Sequence, residues 1–557
     1  MLTPAKTYDE VYNAFRWHIP DNFNIADACC THWAAQDPAR IALTHVSRDG
    51  AVAEHSYGQL EQDSNRCANA LAALGIERGD RVGVFLPQSP ETLISHLAIY
   101  KLAAIAVPLA LLFGPDALAY RVRDAGTKTI ITTPAGLEKL HDLVTTIPEL
   151  SSVIVVDADP MAALPNWATR FEDLLLRASA QFTAIKTAAN DPALMIYTSG
   201  TTGQPKGALH GHRVLLGHLP GMQLSHDFLP QPTDKIWSPA DWAWAGGLLN
   251  VLLPSLMLGV PVVSSEAQKF DPEVAFQFLQ DHHIINAFIP PTALKMMRTV
   301  ENPQKRFDLK LRSLASAGEA LGADTYEWGQ EAFGLNINDC YGQTECNLVL
   351  GSCAALGMNR AGAIGRTVPG HKIAILSPSG EPLPVGETGE IAIHAPDPVL
   401  FLGYWKQPEA TTAKFVGSDR NWFTTGDQAW MDDEGFVTFV GREDDIISSA
   451  GYRIGPSEVE DCLLSHPAIA LAAIVGKPDE LRNEIVKAYV VLHETAEPSD
   501  ALAKDIQNYV RQHLSAHAYP REISFRKFLP LTTSGKIIRR QLREEAAQEI
   551  NKSQSGA

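Results

Sequence analysis

Along most of the chain two patterns of apolar and polar positions alternate. Short β-branched or apolar runs at 81–86, 129–132, 152–156 and 287–289 predict buried strands. Longer runs with helical spacing at 57–74, 90–101 and 272–281 predict helices between them. Strand and helix in alternation imply an α/β architecture with parallel sheets. The junctions agree: Gly75 is placed to close a helix, and Glu77-Arg78-Gly79-Asp80 to turn into the next strand.

Beyond about Val368 the texture changes. Short strand-like runs at 372–376, 390–394 and 436–440 are separated by Pro378-Ser379-Gly380 and Asp432-Asp433-Glu434-Gly435, which predicts a smaller β-rich subdomain. The last hundred or so residues read as an α+β unit, with helices at 457–465 and 500–515, strands at 470–475 and 484–492, and a frayed tail after Ala546. The charged segment Gly441-Arg442-Glu443-Asp444-Asp445 between two strand-like runs reads as a hinge. The expected organisation is therefore a large domain over 1–442 (two α/β subdomains, with the β-rich part from about 368), a hinge at 443–445, and a small mobile C-terminal domain over 446–557.

One stretch, 245–263, is uncharged and long enough to suggest a membrane span. It contains Asn250, Pro254, Ser255 and Pro261 with Gly246, Gly247 and Gly259, which favours a buried helix followed by a buried strand. With 45% hydrophobic and 20% charged residues the composition is that of a globular protein. The 64 acidic against 46 basic residues leave a net charge of −18, which repels polyanions and argues against nucleic acid as a partner, though not against nucleotides. The seven cysteines include no CxxC pair, which argues against zinc and disulfide frameworks and for a reducing, cytoplasmic setting. The first ten residues carry no apolar leader. His210-Gly211-His212 and His282-His283 lack a third ligand at a useful spacing, so His210 or His212 is expected to line a nucleotide or acyl site rather than to hold a metal.

The densest chemistry lies between Tyr197 and Gly207. The hydroxyls of Thr198, Ser199, Thr201 and Thr202 are interleaved with Gly200, Gly203 and Gly207, and Lys206 follows. Glycines let backbone N–H groups turn inward, hydroxyls add donors, and a lysine offsets charge, so the segment could wrap phosphate oxygens. The spacing is not that of a Walker A loop. Composition alone leaves a polar connector as an equal alternative.

That segment resembles the phosphate-binding signature of the adenylate-forming superfamily, which includes acyl-CoA synthetases, carrier-loading adenylation domains and firefly luciferases. Further motifs resembling those of the superfamily follow in order: Ser316-Ala317-Gly318-Glu319-Ala320, Tyr341-Gly342-Gln343-Thr344-Glu345, Trp422-Phe423-Thr424-Thr425-Gly426-Asp427, the Gly441–Asp445 segment, Gly451-Tyr452-Arg453-Ile454 and Ser534-Gly535-Lys536. The resemblance spans nearly the whole chain. It implies ATP, Mg²⁺ and coenzyme A as reactants and cofactor, and a small carboxylic acid as substrate. Residues 198–203 would cradle the phosphates together with Lys206. Gly318, Glu319, Ala320, Asp339 and Cys340 would border the adenine, and Tyr341 would stack on it, followed by Gly342, Gln343 and Thr344. Asp427 would accept hydrogen bonds from the ribose hydroxyls, with Arg442 and Arg453 on ribose or phosphate. Glu345, with Thr201, would hold Mg²⁺ as hard oxygen ligands do.

Lys536 would bridge carboxylate and α-phosphate, lowering the repulsion between two anions as charge develops. Locally it is one lysine of a basic patch, and only the resemblance distinguishes it. Rotation about the hinge at Asp444 would then withdraw Lys536 and bring Gly451 to the pantetheine. Acetylation of Lys536 by a protein lysine acetyltransferase would abolish its charge.

Relatives restricted to acetate carry a tryptophan where this chain has Gly342, so the acyl pocket is expected to admit medium-chain, branched or small substituted acids. Trp242, with Trp237 and Trp244 nearby, is expected to line and shorten that pocket. Cys346-Asn347 depart from the Thr-Gly frequent in medium-chain relatives. The alternative function is a stand-alone enzyme that loads a carrier protein.

Overall fold

A computed structural model describes residues 1–198, 204–266, 270–442, 444–449, 452–479, 482–514, 518–532 and 536–554. Among these the strands form four sheets. One is mostly parallel and built around Arg81–Phe85, Ile105–Pro108, Thr127–Thr132, Ser152–Val155 and Pro192–Thr198, with Lys206–Gly211 added antiparallel at one side. A second carries Ile41–Val46, Val262–Ser265, Ile236–Trp237, Asn286–Phe288, Ser313–Ala317 and Ile337–Gln343 in parallel, then turns antiparallel at Asn347–Gly351. Strands buried on both faces read as continuous apolar runs, which is why the sequence exposes them.

The largest core cluster draws on both sheets and on the helices packed between them. Helix Pro90–Lys101 is buried along its whole length; its start is set by Ser89, whose hydroxyl accepts the Thr92 N–H, and by Pro90 in the first turn. Helix Tyr57–Ala73 starts at a capping box formed by Ser56 and Gln59. The uncharged stretch is a chain of short buried helical segments, Ala245–Gly247, Leu248–Leu252 and Leu253–Met257, followed by strand Val262–Ser265, as the prolines and glycines predict. Among the described residues no helix is long and apolar enough to cross a membrane.

The third sheet is antiparallel and comprises Ile373–Leu376, Gly389–His394, Trp422–Met431, Phe415–Val416 and Val437–Arg442. The fourth belongs to the C-terminal part, with the long hairpin Ile469–Asp479 and Asn483–Leu492 at its centre and helices Pro456–Leu464, Asp500–His513 and Arg539–Gln554 against it. The terminal segment corrects an expectation. Rather than fraying after Ala546, the helix continues to Gln554. Leu542 and Ala546 are buried against Val475 and Tyr489, and Glu549 forms ion pairs with Lys477 (3.1 Å) and with Lys487.

Candidate active site

Where parallel strands end, their last side chains and backbone groups face open space, and ligands of α/β sheets bind there. The carboxyl ends of Ser313–Ala317 and Ile337–Gln343 open on a cleft of about 3050 Å³. Its walls also carry Asp427 and Arg442 from the antiparallel sheet and Lys536 and Arg539 from the C-terminal part. Residues separated by more than two hundred positions thus face one space.

Asp427 is 5% exposed and organises one wall. Its Oδ2 accepts from the Tyr341 hydroxyl at 2.6 Å and from the Gln343 amide at 2.6 Å, and its Oδ1 lies 3.9 Å from Arg442 Nε. Burial opposes the Arg442 charge, but Asp427, Asp444 and Asp445 outweigh it and hold the guanidinium protonated. One carboxylate oxygen is therefore fully used within the protein, and the other keeps acceptor capacity. Tyr341 and Gln343 fix the Asp427 rotamer, a link that adjacent motifs in the sequence do not reveal.

A second constellation centres on Glu345, 8% exposed, whose Oε1 accepts from the Tyr404 hydroxyl at 2.7 Å. Burial and the Glu345 charge raise the Tyr404 phenol, so it remains a donor. Lys206 Nζ lies 5.0 Å from the centre of the Tyr404 ring. Thr198 and Lys206 are paired residues of neighbouring strands. Ser199, Gly200, Thr201, Thr202 and Gly203 lie outside the described residues. Sequence reasoning missed Tyr404. It reaches the site because strand Gly403–Tyr404 pairs with Lys206–Gly211, and no periodicity announces that long-range pairing.

Gly318 has φ +106°, a conformation that favours glycine, and Glu319 accepts from the Thr292 hydroxyl at 2.8 Å. Asp339, Cys340 and Thr344 also line the cleft, and burial raises the Asp339 carboxyl well above its usual range. Gly342 changes the expected picture. A Cβ there would lie 1.4 Å from the Asn347 carbonyl oxygen, because the strands bulge together at this point. The missing indole does not simply leave a void; backbone has moved into the position a side chain would need. Replacing Gly342 by alanine is expected to cost about 3 kcal/mol of stability, read as a lowered denaturant midpoint, and an unchanged midpoint would show that the hairpin relaxes freely.

The histidine expectation is not met. His210 and His212 are fully buried and absent from the cleft wall; His212 Nδ1 accepts the Ile25 N–H at 3.1 Å, behind the strand that carries them. Trp242 is likewise not on the wall but sealed in the main core at 2% exposure, while Trp237 and Trp244 face the cleft. The reason is alternation in a tight segment: Asp241 accepts the Ala243 N–H at 2.9 Å, and this turn directs Trp242 inward. Asp241 lines the cleft, and burial pushes its carboxyl up to about 6.

Lys536 is exposed on the C-terminal side of the cleft. Two bonds tie it to Thr532: Thr532 N–H donates to the Lys536 carbonyl at 2.7 Å and Lys536 N–H to the Thr532 hydroxyl at 3.0 Å. Arg539 pairs with Glu460 at 2.6 Å, and Arg543 donates to the Asp444 carbonyl at 2.7 Å and pairs with Asp445. Asp444 sits in the turn after strand Val437–Arg442, where Asp445 and Ile446 donate to the Arg442 carbonyl. On the opposite face Ser465 bonds Asp324, and Asp461 packs against Gly322. Gly451 and the Arg453 side chain lie outside the described residues.

The family described as AMP-binding enzyme matches residues 30–405, and the AMP-binding enzyme C-terminal domain matches 458–536. The chain is 34% identical to an acetyl-coenzyme A synthetase of Bacillus subtilis, over 98% of this chain and 96% of that protein. It is 31% identical to the human mitochondrial acyl-coenzyme A synthetase ACSM3, over 97% and 92%. Its fold superimposes on the anthranilate CoA ligase AuaEII, crystallised with anthranoyl-AMP, with a TM-score of 0.86, 27% identity and coverage of 95% and 98%.

Proposed function

The chain belongs to the AMP-binding enzyme family and is an AMP-forming acyl-CoA ligase, and from that premise we propose how its residues divide the work and which acids it takes. The observation that carries the reading is the meeting of Lys536, Asp427, Arg442 and Glu345 on one cleft. Asp427, held by Tyr341 and Gln343, offers its free Oδ1 to the ribose hydroxyls of ATP. Residues 198–203 and Lys206 hold the phosphates, Gly318 to Ala320 and Asp339 to Thr344 border the adenine, and Arg442 and Arg453 reach ribose or phosphate.

In the first step a carboxylate oxygen of the acid attacks the α-phosphorus; the new P–O bond forms as the bond to the β-phosphate oxygen breaks, and pyrophosphate leaves. Lys536 stabilises the charge that builds on both partners. In the second step the thiol of coenzyme A attacks the acyl carbonyl, and AMP leaves. Asp444 is the pivot about which the C-terminal domain (446–557) turns between steps, exchanging Lys536 for the segment at Gly451.

Glu345 fits a magnesium ion: Tyr404 occupies Oε1, and the remaining carboxylate lone pairs are hard donors on the cleft wall. When bound, the ion neutralises phosphate charge; Thr201 would share it. The acid is medium-chain, branched or small and substituted, with Trp237 and Trp244 bounding the pocket. The anthranilate ligase named above supports room for a substituted ring, whereas the Bacillus subtilis relative is an acetyl-coenzyme A synthetase. Carrier loading is disfavoured because relatives matched along their whole length are coenzyme A synthetases or ligases.

The test is AMP and pyrophosphate release from ATP and Mg²⁺ with acids from acetate to decanoate, branched and aromatic acids included. Coenzyme A-dependent AMP, fastest with an acid larger than acetate, is the expected result. Pyrophosphate exchange without acyl-CoA would favour the carrier reading, and activity with acetate alone would refute the acid class.

A further inference from the structure

Tyr404 touches two charged groups that the reading above assigns to the phosphates of ATP and their cation. Its hydroxyl donates to Glu345 Oε1 at 2.7 Å, and its ring faces Lys206, whose Nζ lies 5.0 Å from the ring centre. The main chain around it is tied to the same two places. Phe401 N–H donates to the Glu345 carbonyl at 2.8 Å, and Trp405 N–H donates to the carbonyl of Gly207, beside Lys206, at 2.7 Å. Tyr404 pairs with Ala208 of strand Lys206–Gly211, and its own N–H donates to the Thr411 hydroxyl at 2.9 Å. The residue is 7% exposed, and its ring packs edge-on against Phe401 with centres 4.9 Å apart. Backbone, ring and hydroxyl are each held, so the side chain is a rigid support for whatever it touches.

The hydroxyl and the ring act on different charges. A carboxylate free to turn can meet a cation with either oxygen or with both. Once Oε1 is held by a phenol, the other oxygen is presented in a fixed direction. The ring instead attracts the Lys206 ammonium through its π face. The two contacts use separate parts of one side chain, and that side chain ties the carboxylate and the ammonium to a single support. We propose that Tyr404 is a positioning residue that holds Glu345 and Lys206 in register, so that the magnesium ion and the phosphates of ATP are gripped as one unit. The inference rests on the reading of Glu345 as the magnesium carboxylate and deepens it.

The experiment measures equilibrium binding of ATP with and without Mg²⁺, in the absence of acid and coenzyme A, for the unaltered protein, Tyr404→Phe and Glu345→Gln. Tyr404→Phe removes the hydroxyl and keeps the ring. Groups that orient metal ligands are worth about ten- to a hundredfold in metal affinity, so the gain in ATP affinity brought by Mg²⁺ should fall by about tenfold in Tyr404→Phe. Without Mg²⁺ its ATP affinity should stay within about twofold, because the ring remains against Lys206. Adding Tyr404→Phe to Glu345→Gln should cost nothing further, since the hydroxyl acts through that carboxylate. A full Mg²⁺ gain in Tyr404→Phe, with the gain lost in Glu345→Gln, would overturn the proposal and leave the magnesium reading standing. An equal loss of ATP affinity with and without Mg²⁺ in Tyr404→Phe would also overturn it, by assigning the hydroxyl to the fold alone. A full gain in Glu345→Gln would instead remove the magnesium reading, and this proposal with it.

Discussion

Replacing Lys536 by alanine is expected to lower acid-dependent pyrophosphate release by about 10²–10³-fold, the usual effect of removing one preorganised charge donor from a transition state. Two anions must meet in this step, and Lys536 is an exposed cation on the C-terminal side of the cleft. Its bonds with Thr532 are made by main-chain atoms of residue 536, so the substitution leaves them intact. The loss should therefore appear in kcat with little change in thermal stability. The second half-reaction, measured from preformed acyl-adenylate and coenzyme A, should be far less affected if the proposed rotation withdraws Lys536 before it. Protein acetylated at Lys536 should behave like the alanine variant, because the ammonium charge is gone in both. Equal losses in both half-reactions would show that Lys536 acts on the fold of the C-terminal domain and not on the chemistry.

A second large effect is expected in acid. His96, His210, His212, His218 and His226 are all at 0% exposure. Burial is the leading cause that pushes His212 down to about 4 and the other four down to about 3. Protonating His212 would also break the bond its Nδ1 accepts from Ile25. Since the unfolded chain binds protons at these sites near pH 6.5, their contribution to stability is complete above that pH and is lost as pH falls toward 3–4. Carboxyls raised by burial act in the opposite sense. Asp241 and Asp461, each pushed up to about 6, and Asp339, raised further, hold protons in the folded state that the unfolded chain would release.

Each of these histidines taken alone costs up to about 1.4 kcal/mol per pH unit between pH 6 and 4, and the raised carboxyls, Asp27, Glu91 and Asp157 among them, release protons on unfolding and oppose that loss. Proton uptake measured calorimetrically at pH 5 in buffers of different ionisation enthalpy checks the sign. Replacing His218 and His226 by glutamine should lower the proton uptake on unfolding at pH 5 by about two protons. An uptake unaltered by the double replacement would mean that other groups govern the acid transition.

How much of this was legible beforehand differs between fold and site. Helices Pro90–Lys101 and Pro272–Asp281 lie where the periodicity puts them, because caps and prolines mark their starts. Tyr404 was invisible, since its contact with Glu345 arises from an edge strand that pairs with a segment nearly two hundred residues earlier. Trp242 was misplaced because an indole beside a cleft segment fits wall and core equally well until a turn at Asp241 decides between them. The terminal helix persists beyond Ala546 because Glu549 finds a buried lysine, Lys487, and a half-buried one, Lys477, on a neighbouring hairpin.

By itself, then, the sequence determined what depends on local order. The alternation of strand and helix, the glycine and hydroxyl composition of 198–207, and the ordered motifs together specify the class of fold and the family chemistry. Only the tertiary structure decided which groups are paired and which are left over. Asp427 spends one oxygen on Tyr341 and Gln343, backbone fills the place beside Gly342, and the Asn347 amide has no partner among the described residues. Burial and hydrogen bonding of a side chain depend on residues that meet it through space, and chain order does not encode those meetings in any local pattern.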